Sequence, residues 1–143
     1  MSIDIVERDL YSIKMDPEKH RLYLKFNGFW VSAERVPFLF NDMKEALEMM
    51  ARTKFTALID LREFRPPLPE VAHLHVELQK LMKDYGLIHN AGIYSEIHQK
   101  IALKRYCEAA DMTINFFKTV EDADSWLDVR TRKEKPLVNE PVN

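Results

Sequence analysis

Asp60 interrupts a run of apolar residues, Phe-Thr-Ala-Leu-Ile-Asp-Leu at 55–61, and Arg62 and Arg65 follow it closely. A carboxylate beside guanidinium groups can hold an anion or a partner's carboxylate, and the planar arginine fork gives that contact a direction. Sites in wound α/β sheets form at the carboxyl ends of strands. Tyr94 and Ser95 end a second short apolar run and would reach the same edge. Asp60, Arg62, Arg65, Tyr94 and Ser95 are therefore candidate binding residues for a ligand or partner. The plain alternative is that Asp60 caps a turn or pairs with one arginine for structural reasons.

Other residue types that could do chemistry fare less well. His73 and His75 stand two positions apart in a helical stretch, so they point about 200° around it and cannot share a metal. His20, His89 and His98 have no metal-ligand spacing among themselves, and all five read as surface or satisfied histidines. Cys107 lies mid-helix beside Glu108, which would raise its pKa, and reads as core packing. Neither a nucleophile elbow, a phosphate-binding loop nor a dinucleotide fingerprint occurs. The expectation is no catalytic residue, no metal and no cofactor. Trp30, with Phe29, reads either as core or as the lining of an apolar pocket with Phe38 and Phe40, and joins the candidate binding residues. Lys100, Lys104 and Arg105 form a small basic patch that a solvated helix face explains.

The elements that would position these residues follow from hydrophobic period. Residues 10–15 and 21–30 alternate, with Tyr11, Ile13 and Met15, then Leu22, Leu24 and Phe26, on one side. Ser12 and Lys14, then Tyr23, Lys25 and Asn27, lie on the other. Asp16-Pro17-Glu18-Lys19 supplies a turn between them, so the pair reads as an antiparallel hairpin with one wetter face. Val36, Leu39, Met43, Ala46, Leu47 and Met50 then recur at helical spacing to about Arg52, starting near Pro37. Residues 55–61 make a strand covered on both faces, followed by a proline-stiffened loop and a helix from Glu70 to Tyr85 that Gly86 stops. Ala91–Tyr94 is a strand, Ser95 an N-cap to a helix reaching Ala110, and Thr113–Lys118 a last strand. Thr119 and Asp122 resemble a capping box before a helix with Ala123, Trp126 and Leu127.

The order is β-β-α-β-α-β-α-β-α, which predicts an α/β single domain with a mixed, mostly parallel sheet and helices mainly on one face. It divides into residues 1–130, the domain, and residues 131–143, a loose tail. A chain of 143 residues has the usual size for one such core.

Composition narrows the partners. The net charge of −2 and pI near 6.2 provide no basic stripe, so nucleic acid is not expected. Acidic residues near the start oppose a signal peptide, and no run approaches the roughly 18 apolar residues of a membrane span. One cysteine implies a reducing compartment, and a soluble cytoplasmic protein is the expectation.

The element order, the strand Phe-Thr-Ala-Leu-Ile-Asp-Leu-Arg at 55–62 and the Trp126-Leu127 helix resemble the STAS-like family of sporulation anti-anti-sigma factors over roughly residues 8–130. Members acting as phospho-switches carry a serine or threonine just after that strand. Here residues 62–70, Arg-Glu-Phe-Arg-Pro-Pro-Leu-Pro-Glu, offer no hydroxyl. The resemblance implies the divergent branch: a non-catalytic module binding a protein partner or a small apolar ligand, with a homodimer among the arrangements allowed. A small enzyme with a strand-end site around Asp60 and Arg62 or Arg65 is the alternative.

Overall fold

The computed structural model describes the backbone of residues 2–139 and the side chains of residues 2–132. Its elements are β1 (Ile3–Glu7), β2 (Tyr11–Asp16), β3 (Arg21–Phe29), a 3-10 turn (Ala33–Arg35), α1 (Leu39–Glu48), β4 (Phe55–Arg65), α2 (Pro69–Tyr85), β5 (Leu87–Ile93), α3 (Ile97–Ala109), β6 (Asn115–Phe117) and α4 (Val120–Asn139). The six strands pair in chain order, β1-β2-β3-β4-β5-β6. The first three are antiparallel and β3 to β6 run parallel, so the α/β class and the mixed, mostly parallel sheet hold.

The expected order lacked one strand. Ile3, Asp4, Ile5, Val6 and Glu7 do not alternate cleanly because a bulge shifts the β1 register between Asp4 and Val6. β4 is also longer than expected. It continues past Leu61 to Arg65, and a bulge sets four residues of β4 (60 to 63) against three of β3 (25 to 27). That extra residue changes the face of everything after it, which is why Leu61 and Phe64, three apart, both enter the core. Asp60 is thus mid-strand, not at a strand end.

α1 is shorter than the apolar pattern suggested. It begins two residues after Pro37 and ends at Glu48, and Ala51 and Arg52 then take left-handed φ values of 55° and 54°. α2 ends as expected at Gly86, whose φ of 117° and close approach to the Thr53 carbonyl leave no room for a Cβ. The N-cap of α3 is Glu96, not Ser95: Gln99 turns back to accept from the backbone amides of Ser95 and Glu96. Thr119 caps α4, its hydroxyl accepting from the Asp122 amide.

α1, α2 and α3 pack on one face of the sheet in a core with Leu22, Leu24, Ala57, Ile59 and Leu61. Consecutive crossovers of one hand moving in one direction require this. α4 lies on the opposite face, where Ala123 and Leu127 cover Leu58, Ala91 and Ile93. Among the described residues it leads to no further strand, so the crossover rule does not constrain it. α4 also runs to Asn139, beyond the boundary expected at residue 130. Residues 130–135 are charged or polar, but Arg, Lys and Glu are strong helix formers and no glycine intervenes. Residues 140–143, the remainder of the expected tail, lie outside the described residues. Among those described, no helix is long and apolar enough to cross a membrane.

Candidate functional site

α4 packs on β4 to β6 and reaches β3 at Arg21 and Tyr23, so much of the second face of β1 to β3 is left open beside it. Alternation decides what that face carries. One row across the strands reads Glu7, Ser12, Lys25, Asp60; the next reads Asp4, Lys14, Tyr23, Leu58. Where this face meets the N-terminal end of α4 there is a groove of about 360 Å³. Tyr23, Leu58 and Val120 give it an apolar floor and wall, while Ser12, Lys14, Lys19, Lys25, Asp16, Asp60 and Asp124 line its rim.

The acids at this rim are occupied. Both Asp60 oxygens accept from the Arg62 guanidinium, at 3.0 and 2.8 Å, and Oδ1 also accepts from the Arg62 amide at 3.0 Å. Burial works to raise the Asp60 carboxyl, and these bonds more than reverse it, so its pKa lies below the ordinary value. Asp16 accepts from the amides of Glu18 and Lys19 in the hairpin turn. Asp124 accepts from the Tyr23 hydroxyl at 2.7 Å, from Lys19 and from the fully buried Arg21 guanidinium, which Asp128 approaches to 3.0 Å. Burial opposes the Arg21 charge, but Asp124, Tyr23 and Asp128 outweigh it and raise its pKa. This cluster ties α4 to the sheet.

The expected candidates separate into four places. Asp60 pairs with Arg62, and the Ser95 hydroxyl reaches the Arg62 carbonyl at 3.4 Å, so these three are neighbours. Arg65 stands apart, 5.4 Å over the Phe29 ring. Tyr94 packs edge-on to Phe116 and lies under the ammonium groups of Lys118 and Lys100, at 4.5 and 5.4 Å from the ring centre. Trp30 is fully buried and belongs to the core, not to a pocket: its indole donates to the Asn27 carbonyl and its ring stacks on His75 at 4.7 Å. Phe38, with which a pocket had been considered, is 52% exposed.

Two other residues are clarified by burial. His75 is neither at the surface nor satisfied. It sits between Trp30 and Tyr106, edged by Phe26 and Phe64, and among the described residues its Nε2 has no hydrogen-bond partner. Burial pushes its pKa down to about 3, so the ring is neutral. Cys107 is buried, receives the Asn90 amide at 3.6 Å, and its thiol is pushed up to about 12 by burial and then by Glu108. No group of three metal-ligating side chains forms among the described residues.

The groove residues Ser12, Lys14, Tyr23 and Lys25 were not among the sequence-derived candidates. Their signal was present as the wetter side of the hairpin, where alternation alone cannot tell a solvated face from a site. In comparisons with known proteins, the chain matches no family model and shows no significant match to a curated protein.

Proposed function

We propose that this chain is a non-catalytic binding module, STAS-like in its element order, that takes a small ligand in the groove between the open sheet face and α4. The observation that carries the reading is the groove itself: about 360 Å³, within the range of small-molecule sites, with an apolar floor and a few polar groups at its rim. The enzyme reading draws less support, because Asp60 is held as a carboxylate by Arg62 and is separated from Arg65. A cytoplasmic setting belongs to the same proposal and rests on the single buried cysteine.

Protein-observed NMR with a fragment library tests the reading. Hits should perturb Ser12, Tyr23, Leu58 and Val120 and vanish in Ser12→Trp, which fills the groove. Hits confined to Arg62, Tyr94 and Ser95, or turnover lost in Asp60→Asn, would replace this proposal with the strand-end site. A protein partner, the other half of the expectation, has its own observation in α3. Ile97 and Ile101 stand four apart there and are 61% and 46% exposed.

A further inference from the structure

The proposed groove has a charge asymmetry that names its ligand class. Each acid on the rim is engaged: Asp60 by Arg62, Asp124 by Arg21, Tyr23 and Lys19, and Asp16 by two backbone amides. Two of the cations are held only weakly. Lys14 meets only the exposed Asp4, at 3.8 Å with both side chains more than half exposed, a contact of little energetic weight. Lys25 stands across the strand from Asp60 and helps hold it ionised, but the Asp60 oxygens are taken by Arg62, and among the described residues no carboxylate lies within ion-pair distance of Lys25.

Register places these lysines together. Ser12 faces Lys25 and Lys14 faces Tyr23 across the β2–β3 pair, so the four side chains form the corners of one square on the open face. Directly opposed side chains on such a face start about 5 Å apart at Cβ, and diagonal ones about 7–8 Å, within the reach of two flexible ammonium groups converging on one anion. Ser12 adds a hydroxyl donor between them. From Lys14 the same row continues through Tyr23 to Leu58, where Val120 of α4 closes the apolar end. That row crosses two strand spacings, about 10 Å.

We infer, resting on the groove being the ligand site, that it takes a small amphipathic carboxylate, its head between Lys14 and Lys25 and its apolar body along Tyr23 and Leu58 toward Val120. The anion gives two weakly paired charges a close partner, and the body covers the apolar part of the face that α4 leaves bare. A neutral apolar molecule gains only the second of these terms, and a short anion only the first.

Titrations of the full chain with octanoate, 1-octanol and acetate, followed by amide NMR, separate the possibilities. Octanoate should shift Ser12, Lys14, Tyr23, Lys25, Leu58 and Val120, and bind at least about tenfold more tightly than either 1-octanol or acetate. Lys14→Gln/Lys25→Gln, two exposed substitutions that leave the core intact, should bring octanoate down to the level of 1-octanol. Equal binding of octanoate and 1-octanol at these residues would overturn the carboxylate class while leaving the groove as the site. Acetate binding as well as octanoate would overturn the amphipathic class. Shifts elsewhere, or none with any probe, would overturn both the ligand class and the groove.

Discussion

Two buried titratable side chains on opposite faces of the sheet meet the same problem in opposite ways. Arg21 keeps its charge, because Thr56, Asp124 and Asp128 surround the guanidinium, and it joins β3 to α4. His75 gives its charge up, because Trp30, Tyr106, Phe26 and Phe64 enclose it and offer no acceptor. Charge is retained inside a protein where partners replace water, and lost where only rings do. The face built by three crossover helices can tolerate a neutral heterocycle in its core. The face covered by one helix adds ionic contacts to a smaller apolar cluster in holding that helix.

The largest effects should come from removing the partners on each side. Trp30→Ala leaves a void in the aromatic cluster and should cost about 3–5 kcal/mol in chemical denaturation, with hydrogen-exchange protection falling across β3, β4 and α2 together. Asp124→Asn/Asp128→Asn leaves Arg21 buried without a counter-charge and should cost a similar amount, about 3–5 kcal/mol. Here protection should fall first in α4, with α1 to α3 little changed. Equal loss of protection everywhere in both variants would mean that the two faces are not separable.

His75 sharpens the contrast through pH. Its folded pKa of about 3 lies below the ordinary 6.5, so between these values the unfolded chain holds a proton that the folded chain does not. Stability from the neutral ring is fully present above pH 6.5 and is lost as pH falls toward 3, by up to about 1.4 kcal/mol per pH unit. Asp42, Asp60 and Asp124 are held below their ordinary 3.8, so their contribution is present above that value and is lost only as pH drops through it. The interval from pH 6.5 to about 4.5 therefore lies above the range in which these carboxylates act. His75→Leu should fold within about 1 kcal/mol of the parent at pH 7 and show a flatter stability profile over that interval. An unchanged slope would show that His75 is not its source.

Smaller effects come from the remaining sites. Asp60→Asn removes a charge from a pair whose arginine is 40% exposed, and should cost no more than about 1 kcal/mol in urea denaturation. Cys107 should not react with an aromatic disulfide reagent at pH 8 in the folded protein, and should react fully in denaturant. Rapid labelling of the native chain would contradict its burial.

Much of the framework could be read from the residues, because period and punctuation carried it: Gly86 marked the end of α2, Thr119 the start of α4, and Tyr11, Ile13 and Met15 the inner side of β2. What could not be read had physical reasons. A bulge in β1 hid that strand by breaking its alternation, and a bulge in β4 turned Phe64 inward after Arg62 had ended the apolar run. Arg21 gave no sign of full burial, since the acids that hold it lie about a hundred residues away on α4. The groove was invisible for the same reason: its sheet residues are those of any wet strand face until α4 is set beside them.

The sheet is laid down in the order in which the chain is made, each strand beside its predecessor. A nascent chain leaving the ribosome can therefore extend its sheet one strand at a time without reserving a gap for a later insertion. The contacts of Lys19, Arg21 and Tyr23 with Asp124 are exceptions, spanning 105, 103 and 101 positions. At ordinary elongation rates Arg21 emerges roughly 5–20 s before its partner. During that interval the guanidinium is solvated and the sheet face beside it is bare, so the groove takes shape only once α4 has been made.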